Sequence, residues 1–211
     1  MSGDVKRVYR SPRRREQAEE TRTRILSAAR ALFVAEGYGR TTIDAIATEA
    51  GVAAQTVYAI FGSKGAMLTA LLEQLAIDAD MSRFQKGLAA ASGNPRRQLR
   101  EGIAFTGRLY AAGFDLIDLA RTVSGVEPDL ARMWQAGEQR RYEANSNLVA
   151  TWARSGALRS GLSPRTATDL LWAIGGPDTY RLLIKERGWS ERSRVERLSH
   201  MLELMLFNES T

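Results

Sequence analysis

His200 is the one histidine in the 211 residues, and cysteine is absent. A single imidazole far along the chain from any acid or nucleophile motif builds neither a metal cluster nor a nucleophile–base pair. Thiol chemistry, zinc ligation and hydrolytic catalysis are therefore not expected, and no metal or cofactor is implied. Gly175-Gly176-Pro177 follows no strand pattern and does not read as a phosphate loop. His200 itself reads as a helix-surface or interface residue. The side chains whose spacing does suggest chemistry are Thr42, Gln55, Thr56, Tyr58 and Lys64. They suit hydrogen bonding rather than bond making. A glutamine carboxamide pairs with the adenine edge in two places, and the methyl groups of Thr56 or Ala54 can meet a thymine methyl. Tyr58, Thr42 and Lys64 are placed to hold phosphates. Each also has a plain structural reading: Thr42 as a cap, Tyr58 as packing, Lys64 as a solvated charge.

The elements that must position these groups are short helices. Ile25, Leu26, Ala29, Leu32 and Phe33 recur at helical spacing, and that helix ends near Gly37, where glycine suits a left-handed cap. A second helix starts after Thr42, with Asp44 in its first turn, and buries Ile43, Ile46, Ala47 and Ala50 before Gly51 stops it. A third runs over about 53–60 with Val57, Ile60 and Phe61 inward. Ser63 caps a fourth, which turns Met67, Leu68, Leu71, Leu72 and Leu75 inward. Ala47, Gly51 and Val57 hold fixed offsets. The small residue lets two crossing helices approach, the glycine makes the turn, and the valine locks the third helix on the second. This spacing predicts a helix-turn-helix, with Ala54, Gln55, Thr56, Tyr58 and Ala59 outward or flanking.

The chain carries a formal net charge of +6. Lys6, Arg7, Arg10, Arg13, Arg14 and Arg15 face only Asp4 within the first fifteen residues, so the excess is concentrated there. Residues 1–15 read as a disordered basic arm, with Arg13, Arg14 and Arg15 as candidate DNA contacts. No membrane span or signal peptide is read, and a cytoplasmic location is expected. Beyond the fourth helix, patterns run over roughly 95–112, 114–124, 127–155, 163–187 and 191–207, with glycine and proline breaks between them. The fold class is all-α. The expected organisation is the arm at 1–15, a three-helix DNA-binding domain at 16–63, and a helical ligand-binding and dimerisation domain at 64–211.

Within that body, Val195, Leu198, Leu202 and Met205 step by three, four and three residues, a seam suited to a partner helix or to an intramolecular core. Ala173 and Gly176 are small enough for close helix approach, and Pro177 kinks the helix that carries it. Phe105, Leu109, Tyr110 and Phe114 share a face, and Met133, Trp134, Trp152, Trp172 and Tyr180 add bulky groups with polar edges. Such residues line small-molecule pockets, although aromatic stripes also form plain core. A medium-sized apolar or aromatic effector is the expectation.

Residues 20–68 resemble the N-terminal domain of TetR-family regulators. The Tyr-Ala-Ile-Phe-Gly-Ser-Lys stretch at 58–64 is characteristic of the end of that family's recognition helix. Residues 162–206 resemble the last two helices of one TetR-like C-terminal domain, whereas 83–125 match no motif. The resemblance implies a homodimer on a palindromic operator, with the third helix of each subunit in a major groove. It also implies repression relieved by a small-molecule effector. It places Thr42, Ala54, Gln55, Thr56, Tyr58 and Lys64 at DNA-facing positions. Ala53 departs from the family, which often has a capping serine there. Ala54 departs likewise, standing where a basic or polar reader is common. The competing reading is an effector-free helical interaction or architectural DNA-binding protein.

Overall fold

The computed structural model describes residues 10–208. They are helical apart from short connections and an isolated antiparallel bridge between Leu158 and Phe207. The chain divides into two compact units, one ending at Leu72 and one beginning at Glu73.

The first unit holds α1 (Arg10–Glu36), α2 (Ile43–Ala50), α3 (Ala54–Phe61) and the start of α4 (Lys64–Asp78). Its core joins Ile25, Ala29 and Phe33 of α1 to Ile46, Ala47 and Ala50 of α2, Val57 of α3, and Met67, Leu68 and Leu71 of α4. These are the apolar positions of the four helical patterns, and their burial is what holds such short helices together. Two features differ from expectation at the edges. Residues 10–15, expected in a disordered arm, belong to α1, while the rest of the arm lies outside the described residues. Pro12 falls in the first turn, where no intrahelical N–H partner is needed, and Arg15–Glu19 and Glu20–Arg24 have the i, i+4 spacing that favours helix. The unit also extends past 63 to Leu72, because the first turns of α4 belong to the head, which Lys64 grips.

The second unit holds the end of α4, α5 (Met81–Ala90), α6 (Pro95–Val123), α7 (Pro128–Arg154), α8 (Pro164–Ile174), α9 (Pro177–Tyr180), a π-helical segment (Arg181–Glu186) and α10 (Glu191–Leu206). Its core is built from Leu99 and Ile103 of α6, Val149 and Trp152 of α7, Ala167 and Leu171 of α8, and Leu198, Leu202 and Leu206 of α10. Helix α5 was not foreseen; it starts at Asp80, whose carboxylate accepts the Arg83 amide at 2.9 Å. The break expected at Gly113 is present as a kink within α6, with non-helical backbone at φ −170 and ψ 48, and a Cβ there would lie 2.4 Å from Leu75. The single helix expected over 163–187 is interrupted at Gly175-Gly176-Pro177 and continues as α9 and the π-helical segment. Proline's missing N–H starts a new helix here rather than bending the old one.

Candidate nucleic-acid interface

The geometry of the head follows from its caps. Thr42, extended at φ −105 and ψ 157, accepts the Ala45 amide on its hydroxyl at 3.1 Å. Ser63 does the same for the Ala66 amide, also at 3.1 Å. Gly51 takes φ +64 and ψ +42, the left-handed conformation that side-chained residues resist, and closes α2 by donating its N–H to the Ala47 and Thr48 carbonyls. That turn sets α3 across α2. Ala53 holds an N-cap backbone, φ −73 and ψ 144, but has no side-chain cap. The recognition helix therefore starts with less support than its neighbours.

On α3, Val57 is fully buried and Phe61 half-buried, with Arg22 of α1 stacked 5.2 Å from the Phe61 ring. Gln55, Tyr58 and Ala59 are exposed, and Ala54 and Thr56 are half-buried at the margin. Tyr58 is 51% exposed, so it is not a packing residue. Ile60, expected inward, is instead 38% exposed. The inward stripe of this eight-residue helix is the i, i+4 pair Val57 and Phe61, and Ile60 falls to its side. The outward face carries no charge. It presents one amide, one phenol and methyl groups, which is the chemistry of base-edge contact rather than phosphate attraction.

Phosphate-type chemistry is found elsewhere in the same unit. The Thr42 hydroxyl uses an acceptor for its cap and keeps its proton to donate outward. It sits at the positive end of α2. Arg13, Arg14 and Arg15 are exposed on the first turns of α1. Arg40, not singled out by the sequence reading, is exposed two residues before Thr42 and donates its Nε to the Glu36 carbonyl at 2.7 Å. Lys64 has a structural role beside the phosphate contact expected of it. Its Nζ donates to the Tyr38 carbonyl at 2.7 Å and the Thr41 carbonyl at 2.8 Å, and lies 4.6 Å from the Tyr38 ring centroid. Two of the three ammonium donors are thus committed to the protein. Lys64 ties α4 to the loop before α2, and only one N–H remains for a phosphate.

Residues 25–71 match the family model described as bacterial regulatory proteins, tetR family. That match lies within the first unit, which is therefore similar to the N-terminal domain of TetR-family regulators. The match to the HTH-type transcriptional regulator SrpR of Pseudomonas putida is 48% identical over 56 residues, 26% of this chain and 26% of SrpR, so it spans about a quarter of that relative. The match to EthR of Mycolicibacterium smegmatis is 25% identical over 152 residues, 70% of each chain. Among solved structures, NalD, the secondary repressor of the MexAB-OprM multidrug efflux pump in Pseudomonas aeruginosa, superposes with a TM-score of 0.73 at 25% identity. That superposition covers 92% of this chain and all of NalD. The family-model match over 25–71 spans α2, the glycine turn and α3.

The remaining residues singled out in the sequence fall in several places. Leu198 and Leu202, read as a partner seam with Val195 and Met205, are buried in the subunit's own core, and Val195 and Met205 pack against it. Gly176 is buried, whereas Ala173 is exposed. The outward apolar residues of α10 are Met201, 39% exposed, and Leu204, 56% exposed. The aromatic set does not form one pocket. Tyr110, Phe114 and Tyr180 cluster, with ring centroids 5.2 Å apart for both Tyr110–Tyr180 and Phe114–Tyr180. Trp152 packs on Phe207 in the core and donates Nε1 to Gln98 at 2.8 Å. Phe105 stacks on Phe84 at 4.4 Å, and Trp172 lies under Arg141 at 4.9 Å. Leu109, Met133 and Trp134 are half-buried. Among the described residues no cluster of three or more His, Asp or Glu could hold a metal, and no helix is long and apolar enough to cross a membrane.

Proposed function

We propose that this chain is a sequence-specific transcription regulator. It binds a near-palindromic operator as a homodimer and is released by a small-molecule effector held in the second unit. The observation that carries the DNA reading is the uncharged, exposed face of α3. It is held out by the Gly51 turn, and the same unit exposes Thr42, Arg40 and Arg13–Arg15. Gln55 reads bases, and affinity rests largely on the surrounding phosphate contacts. Dimerisation is supported by the outward Met201 and Leu204 on α10, together with exposed Ala173 on α8, since soluble monomers seldom leave such apolar surface uncovered. The effector reading is supported by the buried Tyr110–Phe114–Tyr180 cluster.

Selection of bound duplexes from random DNA with the full-length protein tests the reading. The expected product is a near-palindrome whose half-sites are about one helical turn, roughly 34–36 Å, or a multiple apart. Gln55→Ala shifts the preferred base at one position per half-site by about 1–3 kcal/mol of discrimination. Tyr58→Phe weakens all sequences alike. A Gln55→Ala selection that returns the parental motif with unchanged information at every position removes Gln55 from base reading.

A further inference from the structure

The centre of the second unit holds more buried hydrogen-bond donors than its own chain satisfies. Arg194 of α10 has 0% exposure. Its Nε donates to both oxygens of Glu191, at 3.0 and 3.2 Å, and its Nη2 donates to Glu191 and to the Ile103 carbonyl, both at 2.8 Å. Its Nη1 is buried with no hydrogen-bond partner among the described residues. A purely structural arginine, tying α10 to α6, needs no idle charged nitrogen. Leaving one buried costs on the order of 1–3 kcal/mol or more.

The surroundings of the guanidinium are aromatic and locally irregular. The Arg194 guanidinium carbon lies 5.4 Å from the Tyr180 ring centroid, and Tyr180 contacts Tyr110 and Phe114. Tyr180 ends α9 and directly precedes the π-helical segment, and π turns are rare and frequent at functional sites. The helix break before it turns the Gly175 carbonyl to the Tyr110 hydroxyl, which donates to it at 3.3 Å. Gly107 of α6 leaves the space that the ion pair fills, since a Cβ there would stand 1.7 Å from a Glu191 oxygen. The charged groups around the cluster are Arg141, Arg194 and Lys185, the last 5.7 Å from the Phe114 ring, and the carboxylates Glu138, Asp178 and Glu191. Arg141, however, is already committed to Glu138 and the Trp172 carbonyl, whereas Arg194 keeps Nη1 unpartnered against the Tyr180 ring; Arg108 of α6, which also has unpartnered buried nitrogens, stacks on Phe105 instead.

We propose that this centre receives an aromatic ligand bearing a single anionic group, with the anion accepting from Arg194 Nη1 and the ring packing against Tyr110, Phe114 and Tyr180. The proposal rests on the effector reading above and names the class of effector. A charged donor facing a fixed aromatic wall selects an aryl carboxylate over its neutral amide, because the amide cannot repay the desolvation of the guanidinium.

The test titrates the full-length protein with benzoate, 2-naphthoate and indole-3-carboxylate, and with the three corresponding amides, by calorimetry. A parallel arm measures retention of operator DNA. At least one acid is expected to bind tenfold or more tightly than its amide. Arg194→Lys, which keeps the charge but removes Nη1, erases that difference while leaving amide binding in place. The comparison in the parent protein stands even if the variant folds poorly. Amides binding as well as acids, or no binding by any acid up to its solubility limit, overturns the proposal. If the acids bind as expected and operator DNA stays bound, the site stands and the effector-release reading falls. If an amide releases the DNA and no acid does, the release reading stands and this site assignment falls.

Discussion

Replacing Lys64 by methionine separates a phosphate-binding lysine from a structural one. The side chain donates to the Tyr38 and Thr41 carbonyls at 2.7 and 2.8 Å and sits over the Tyr38 ring. Hydrogen bonds from a charged group contribute about 1.5–3 kcal/mol each, and an exposed cation–π contact about 0.5–1 kcal/mol. Lys64 is only half-buried, so solvent screens part of this and water can replace part of it. The expected loss is about 2–4 kcal/mol, confined to the first unit. All four tryptophans, Trp134, Trp152, Trp172 and Trp189, lie in the second unit. Tryptophan fluorescence during urea unfolding therefore reports that unit alone, while far-ultraviolet circular dichroism reports both. Lys64→Met should move the dichroism curve to lower urea and leave the fluorescence midpoint in place. DNA binding should weaken without a change in salt slope once the head is folded. The reasoning fails if stability stays within about 0.5 kcal/mol of the parent while the logarithmic salt slope drops by about 0.9, the signature of one lost phosphate contact.

Ala53→Ser supplies the missing cap of α3 at a backbone already in cap geometry. It should raise head stability by about 1 kcal/mol in the same urea assay, and Thr42→Ala should lower it by a similar amount. Tyr110 is pushed up to about 12 by burial, so its neutral form is favoured in the fold. Its contribution is complete below pH 10 and is lost as pH rises from about 10 to about 12, by about 1.4 kcal/mol per pH unit from this group. The stability difference between the parent and Tyr110→Phe, followed over that range, should shrink and then reverse; a flat difference contradicts it. Met201→Glu with Leu204→Glu should halve the mass seen in sedimentation without unfolding the chain. Leu198→Ala should instead cost about 2–5 kcal/mol of fold stability at unchanged stoichiometry, because Leu198 lies in the subunit core.

The head was legible because its signals are local. The threonine cap, the glycine turn and the apolar residues at 46, 47, 50 and 57 each act within a few residues, and each is found as read. The structural role of Lys64 was not legible, for the opposite reason. Its partners Tyr38 and Thr41 lie more than twenty residues earlier, and no spacing rule ties a lysine to a distant carbonyl. Residues 10–15 show a third case. A run of arginines reads as a repelling arm, yet the glutamates that follow are spaced to support a helix through it.

In the second unit, periodicity identified which helix faces are apolar but not what they face. The 195–198–202–205 spacing suits a partner subunit and an internal core equally, since either needs one stripe per turn. Burial decides between them, and it assigns Leu198 and Leu202 to the core. The stripe left outside passes through Met201 and Leu204, flanked by Arg197 and His200, and reads as a weaker amphipathic pattern. The aromatic residues show the same limit. Trp152 and Tyr180 are equally bulky in sequence, yet Trp152 has its indole N–H satisfied by Gln98 within a packed core. Tyr180 instead sits at a helix irregularity beside a buried arginine with a nitrogen to spare. Side-chain size alone does not separate core from binding site. The proposed site adds a second mark, a buried charged donor at Arg194 Nη1 without a partner among the described residues.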